Sequence, residues 1–268
     1  MNNIKVINTI EKSNIKVEVL QYEKLGGSKS TSVAERLYFA ERMDVKMKQV
    51  RITLNGAKFK TESGALSYMK GNITATNNVA KKLFKNLAAS VLTGEKAFKP
   101  VYEGTGEIYL EPSFGHFLIM ELNDEEIIVD KKMFYACEEE MEVGVSMQKN
   151  ISSAAFGGEG LFQTRISGTG IVVLYSEVPM DEIKVMHLNN EKLMVDGNFA
   201  MLRKGDISFS VQMMNKGIIG TLTSGEGLLQ TFEGTGEVWI APTEALYQQL
   251  ESSLIKQDEG YSSNTNVE

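Results

Sequence analysis

The phrase EGTGEIYLEPS at residues 103–113 returns as SGTGIVVLYSE at 167–177 and as EGTGEVWIAPT at 233–243. Counted between the first glycines of the copies, the spacing is 64 residues (104 to 168) and then 66 residues (168 to 234). A nearly constant period of this length indicates one structural unit that is used three times. Since a unit of roughly 65 residues buries only a modest core by itself, we expect the three units to pack into one body.

Most segments around the phrase have the composition of β-strands. Residues 107–110 and 237–240 combine β-branched and aromatic side chains after the glycines. Residues 171–174 in the middle copy are apolar throughout, which predicts that both faces of that strand are covered. Residues 207–213 alternate apolar and polar side chains, as a half-buried strand does. The sequence therefore predicts an all-β, sandwich-like fold.

The Gly-Thr-Gly element has a backbone interpretation and a chemical one. The backbone interpretation is a turn between strands, where glycine accepts a positive φ or a bulge without a Cβ clash. The chemical interpretation is a phosphate cradle, which requires a third glycine and a following helix. Because the third glycine is missing and a strand follows, the backbone interpretation is favoured. Pro112 and Pro242 stand at the same point of the first and third copies and predict where those strands leave the sheet.

Two segments have helical rather than strand periodicity. Residues 77–92 in the first copy repeat apolar side chains every four residues, with Lys81, Lys82 and Lys85 on the other side. We interpret this segment either as a helix that lies on the sandwich or as a surface helix whose lysines meet a membrane or a protein partner. Residues 243–256 carry leucines at helical spacing. The polar residues 257–268 are typical of a disordered tail.

Composition and charge restrict the classes of function. The formal net charge of -7 disfavours binding to nucleic-acid backbones, which depends on Lys and Arg displacing counterions. The single cysteine, Cys137, makes no internal disulfide and favours a reducing compartment. The N-terminal residues lack the apolar core of a signal peptide, and no run of about 18 apolar residues occurs. We therefore expect a cytoplasmic protein, either free or peripheral to a membrane.

Few residues are candidates for chemistry. His116 and His187 fall at different points of the repeat, away from residues at metal-ligand spacing. Cys137 lies in a strand-like run, where we expect a small buried hydrophobe rather than a nucleophile. The one charge that recurs in all three copies is a glutamate in a Gly-Glu turn. Either the three glutamates surround a threefold axis and bind a hard cation, or each of them faces solvent. These glutamates are Glu95, Glu159 and Glu226. We assign no catalytic residue and no cofactor.

Several phrases taken together resemble a known family. GTGEIYLEPSFGHF, VDKKMFYACE, FGGEGLFQT and SGEGLLQTFEGTGEVWIAP are similar to sequences of the altered-inheritance-of-mitochondria family of uncharacterised proteins, over about residues 48–243. The resemblance implies a β-sandwich of three units, each similar to the subunit of the tryptophan RNA-binding attenuation protein. It also implies a link to the organisation of the inner membrane through the mitochondrial relatives. It implies no catalytic or ligand residues.

These observations favour a noncatalytic scaffold or binding protein, associated with a membrane or with an assembly. The alternative is an enzyme whose site forms between repeats, and RNA binding is a weaker third hypothesis. We expect self-association, with a trimer as one arrangement, because repeated units leave sheet edges for assembly. The expected regions are an N-terminal extension with strands (1–44), a triple-repeat β domain (45–243, with repeats 45–115, 116–180 and 181–243), and a C-terminal helix with a disordered tail (244–268).

Overall fold

A computed structural model of the protein describes residues 3–27, 29–76, 99–147, 162–196, 200–213 and 228–251. Within these ranges lie the helix α1 (Thr31–Arg42), a second helical stretch at 244–251, and the strands of a β-rich fold. The strands are β1 (Ile4–Lys12), β2 (Ile15–Tyr22), β3 (Lys48–Thr61), β4 (Leu66–Thr76), β5 (Val101–Leu110), β6 (His116–Asp130), β7 (Phe134–Glu138), β8 (Glu142–Met147), β9 (Phe162–Ser176), β10 (Lys184–Asp196), β11 (Ala200–Met213) and β12 (Leu228–Ile240). The predicted all-β class is confirmed.

The chain divides into two compact units. The first contains Met1–Ser146 and Phe162–Ser176, and the second contains Met147–Leu161 and Glu177–Glu268. In the first unit, hydrogen-bonded neighbours follow the order β1-β2-β3-β7-β9-β6, with β5 beside β3, β4 beside β5, and β8 beside β9. Strand β3 is long and lies antiparallel to three neighbours. Its first half pairs with β2, most of its length pairs with β5, and its last three residues pair with β7.

The core of the first unit follows from the alternation of side chains along its strands. In β3, Val50, Ile52 and Leu54 all point to one side and are buried. They pack in one cluster with side chains of β2 and β5 and with Ile171 and Val173 of β9. Full burial of one such aliphatic side chain contributes about 1.5–3 kcal/mol. The sheet therefore folds over itself into two layers with the core between them.

The second unit is built around β12, which lies antiparallel between β10 and β11. Its small core contains Leu188, Phe232 and Val238, with the Phe209 ring 5.0 Å from the Phe232 ring. The helical residues 244–251 follow β12, and the hydroxyl of Tyr247 donates a 2.9 Å hydrogen bond to the carboxylate of Glu182.

Several expectations for single segments are confirmed. Residues 171–174 are fully buried, as their unbroken apolar run predicted. Side chains between Ile207 and Val211 alternate between half-buried and exposed. The strands β5 and β12 end two residues before Pro112 and Pro242. The predicted helix at 77–92 and the predicted tail at 257–268 lie outside the described residues.

Helix α1 was not predicted. The N-terminal residues contain the expected strands β1 and β2, which pair with each other, and β2 also pairs with β3. Between β2 and β3 the chain forms α1, none of whose twelve side chains is buried. A helix that buries no continuous apolar stripe leaves only a weak periodic signal in the sequence.

The expectation that Gly-Thr-Gly forms a turn between strands was wrong. In all three copies the element lies in the middle of a long strand, β5, β9 or β12. The neighbouring strands carry the irregularity instead, as a register shift opposite the glycines. The glycines therefore lie opposite a bulge in the neighbouring strand and do not end their own strand.

Candidate interaction surface

The residues that the sequence singled out for binding lie in two groups, both outside the described part of the chain. Glu95, Glu159 and Glu226, proposed to ring a cation, lie outside the described residues. The same holds for Lys81, Lys82 and Lys85 of the predicted surface helix. Within the described part of the chain, no group of three or more His, Cys, Asp or Glu side chains has a geometry that could hold a metal ion.

The threonine of each Gly-Thr-Gly element makes the same hydrogen bond. Its hydroxyl accepts the backbone N–H of a residue in the neighbouring strand that has a positive φ. The three bonds run from Gly56 to Thr105 (3.1 Å), from Asp124 to Thr169 (2.9 Å) and from Asn190 to Thr235 (3.0 Å). Each bond satisfies a donor that the bulge removes from the strand ladder. The role of this threonine is therefore structural.

The first glycine of the element is held against a neighbouring backbone in two of the copies. A Cβ on Gly104 would lie 2.1 Å from the carbonyl oxygen of Asn72, and a Cβ on Gly234 would lie 2.1 Å from that of Asp206. On Gly168 the nearest atom would be the Met141 Cα, at 3.6 Å. Close backbone packing, rather than phosphate binding, therefore accounts for the glycines of the first and third copies.

The sequence offers three residues for nucleophilic or acid–base chemistry, Cys137, His116 and His187. Cys137 is buried in β7, and this burial raises the pKa of its thiol to about 12. It is therefore protonated and unreactive at neutral pH. His187 is exposed on β10, with its Nδ1 atom 3.6 Å from a carboxylate oxygen of Glu237. His116 stands at the start of β6, in the other compact unit.

A row of polar and aromatic side chains crosses one face of the first unit. Glu18, Arg51, Tyr109 and Tyr68 occupy aligned positions on β2, β3, β5 and β4. The Arg51 guanidinium donates to the Glu18 carboxylate at 2.7 and 2.8 Å, and Lys16 lies 3.2 Å from the same group. The Tyr68 and Tyr109 rings stack at 4.4 Å between centroids. Because the charges are paired and the rings cover each other, the row stabilises its four strands.

The second unit repeats one detail of this row. The Trp239 indole N–H donates to a Glu237 carboxylate oxygen at 3.2 Å, and the Tyr109 hydroxyl donates to Glu107 at the same distance. Both pairs are separated by two residues on one strand, so both side chains share one face. The equivalent positions of the middle copy hold Ile171 and Val173, which are buried in the core.

Among the described residues, a group of exposed apolar side chains lies on α1. Its Phe39 is 59% exposed, Tyr38 is 52% exposed, and Met43, which directly follows the helix, is 77% exposed. The Tyr38 and Phe39 rings meet edge to face at 5.6 Å, and the Arg42 guanidinium lies 5.1 Å from the Tyr38 centroid. Large apolar side chains that remain in water this close together mark interaction sites in soluble proteins. We call this set, together with Glu35, the helix surface.

The opposite side of α1 is attached to the rest of the first unit. Leu37 and Ala40 are half-buried there and line a shallow groove. Lys24 and Glu41 hold the helix by an ion pair of 3.3 Å. At the C-terminal end, the backbone N–H of Val45 donates to the carbonyl of Ala40 at 2.8 Å. These contacts orient the helix surface away from the strands.

The groove beneath α1 offers little for catalysis. Its charged side chains are used in pairs, since Lys24 binds Glu41 and Lys46 lies 3.4 Å from Glu23. Its other walls come from apolar side chains such as Leu25 and the aromatic rings of Tyr22 and Phe114. An enzyme site requires polar groups that converge on a cavity without being consumed by each other.

Two features of the sequence indicate the helix α1. Ser30, which directly precedes the helix, is a residue type that favours the N-cap. Leu37 and Ala40 follow Val33 at spacings of four and seven residues, which is a short helical stripe. Glu35 and Arg42, seven residues apart, fall on the other side. Exposure of the aromatic pair, however, became visible only in the structure.

Comparison with known proteins identifies a family. The sequence pattern of the family described as mitochondrial biogenesis AIM24 matches residues 41–243. An uncharacterised protein of Streptococcus pyogenes serotype M6 is 25% identical over 222 residues, which covers 79% of this chain and 88% of that protein.

A solved structure has the same fold. A crystal structure of a Streptococcus pyogenes protein, determined by a structural genomics consortium, superposes with a TM-score of 0.59 at 21% sequence identity. The superposition covers 80% of this chain and 94% of the other. None of the helices in the ranges described above is long and apolar enough to span a membrane.

Proposed function

We propose that this chain, which belongs to the mitochondrial biogenesis AIM24 family, is a noncatalytic scaffold or binding protein that uses the helix surface to hold a partner. The observation that carries the proposal is α1, a twelve-residue helix without a buried side chain that exposes Tyr38, Phe39 and Met43. In proteins, most of the stability of a short helix comes from packing of its apolar face. A partner that covers the aromatic pair would supply packing that α1 lacks in the isolated chain.

The same proposal includes three tandem units of the attenuation-protein type. It is supported by the hydroxyl of the repeated threonine, which accepts an equivalent backbone hydrogen bond in each copy of the phrase. Units of this kind leave strand edges and attached helices as sites for further assembly. We propose self-association in the cytoplasm on this basis. The net charge of -7 argues against nucleic acid as the partner.

A photo-crosslinking experiment tests the binding function. A benzophenone amino acid replaces Phe39 in the full chain, and a matched variant carries it at Thr74, an exposed position on β4. After irradiation in cells, we expect defined adducts from position 39 and few from position 74. Equal adducts from both positions, or none from either, would contradict the proposal.

A further inference from the structure

We infer that the partner of the helix surface is a second copy of this chain, with the two α1 helices packed antiparallel about a two-fold axis between Tyr38 and Phe39. The inference rests on the proposed binding function and names its partner. It is carried by the self-complementary arrangement of charge and aromatic side chains along the exposed side of α1.

Helical geometry defines which residues would meet. With 3.6 residues per turn, Glu35, Tyr38, Phe39 and Arg42 lie on one side of α1, and the half-buried Leu37 lies on the other. The four residues are all exposed. They form a strip with an acid at one end, a base at the other and two aromatic rings between them.

An antiparallel copy of this strip is its own complement. When two such helices meet about the stated axis, Glu35 of each lies beside Arg42 of the other, and Tyr38 of each lies beside Phe39 of the other. A two-fold contact makes every such pair twice. Charge pairs of this type select the partner and the orientation of packed helices. A parallel arrangement in the same register would instead place like charges together.

The charge of α1 favours a protein copy over a membrane. The helix contains two glutamates and two arginines, so its formal charge is zero. Helices that lie on anionic membranes carry an excess of Lys and Arg on the polar face. The whole chain is acidic as well, with a formal charge of -7.

The area of the surface predicts a weak contact. Aromatic side chains each present on the order of 200 Å², and Tyr38 and Phe39 are a little over half exposed. With Met43 added, the apolar part amounts to roughly 350 Å² per copy, whereas a standard interface buries about 800 Å² per partner. The pairing should therefore depend on protein concentration.

Charge reversal tests the pairing. Sedimentation equilibrium of the full chain is measured between about 1 and 200 μM for the wild type, for Glu35→Arg, for Arg42→Glu and for the double variant. We expect the wild type to approach twice the chain mass of 29.7 kDa as concentration rises. Each single variant should raise the midpoint concentration at least tenfold, because like charges then face each other. The double variant should return to within twofold of the wild type.

Two controls separate the outcomes. Lys70→Glu changes an exposed charge on β4 by the same amount and should leave the midpoint unchanged, and circular dichroism checks that every variant is folded. A wild type that remains at 29.7 kDa throughout overturns the inference, as does a double variant no better than the single ones. A monomer that still crosslinks to other proteins through position 39 refutes self-pairing and leaves the binding function standing. A monomer that pellets with phosphatidylserine vesicles through Phe39 assigns the surface to a membrane instead.

Discussion

The middle copy of the repeated phrase and the two outer copies have the same backbone arrangement, a Gly-Thr-Gly element opposite a bulge, in different surroundings. In β9, residues 171–174 have no exposed surface. In β5 and β12 the equivalent positions hold Glu107 with Tyr109 and Glu237 with Trp239, which are half-buried and paired through hydrogen bonds. The difference teaches that the phrase specifies a continuous strand opposite a bulge, while the residues that follow the glycines adapt to what lies on each face.

Exchange of residues between the copies should produce the largest change in the free energy of unfolding. Ile171→Glu would place a carboxylate in the core of the first unit, and a buried charge without a partner costs about 3–5 kcal/mol or prevents folding. The reverse exchange, Glu237→Ile, should change the free energy of unfolding by less than about 1 kcal/mol because that side chain is partly exposed. Urea unfolding measures both. Equal costs would mean that the two strands do not differ in burial.

Replacement of the first glycine by alanine should give the second-largest effect, a loss of stability that differs between the copies. Gly234→Ala forces a Cβ to within 2.1 Å of the Asp206 carbonyl oxygen, whereas Gly168→Ala meets no atom closer than 3.6 Å and pays only for its positive φ. We expect losses of about 3 kcal/mol or more for Gly234→Ala and of about 1–2 kcal/mol for Gly168→Ala. Thermal and urea unfolding compare them. A larger loss at Gly168 would refute the argument from backbone contact.

Removal of the threonine hydroxyl from each Gly-Thr-Gly element should lower the stability less, and by the same amount in all three copies. Thr105→Val, Thr169→Val and Thr235→Val each delete the acceptor of one backbone N–H and keep the shape of the side chain. Each should cost about 0.5–1.5 kcal/mol. The same urea titration tests whether the three costs agree. A spread well beyond that range would show that the hydrogen bond is not equivalent in the copies.

Substitution of threonine by valine at two buried positions should leave the free energy of unfolding unchanged or increase it. The hydroxyl oxygens of Thr164 and Thr231 are buried without a hydrogen-bond partner among the residues described. Thr164→Val and Thr231→Val should therefore be neutral or stabilising by up to about 1 kcal/mol, because an unsatisfied polar atom is removed. Losses as large as those at Thr105 would indicate a hydrogen bond to these oxygens.

Much of the local structure was accessible from residue types alone. The apolar run at 171–174 predicted a strand covered on both faces, and the alternation at 207–213 predicted a half-buried one, because side chains on a strand point to opposite faces in turn. The two prolines predicted strand ends, since proline has no N–H for the ladder. Cys137 was expected to be buried, and it is.

The candidate site was harder to predict from the sequence than the local structure. The predicted binding residues lie outside the described part of the chain. The surface that emerged instead was missed because α1 buries too little to leave a strong periodic pattern. Exposure of Tyr38 and Phe39 is a property of what surrounds them, which residue types do not specify.

The sequence by itself determined the all-β class and the positions of the repeated phrase, because strand alternation and glycine spacing are local properties of the chain. Only the tertiary structure decided that Gly-Thr-Gly lies within a continuous strand, opposite a bulge in its neighbour, rather than at the end of a strand. Glycine permits both a turn and a bulge, and the choice depends on a neighbouring strand that is distant in sequence. In the first copy that neighbour contributes Gly56, some fifty residues before the threonine whose hydroxyl it binds.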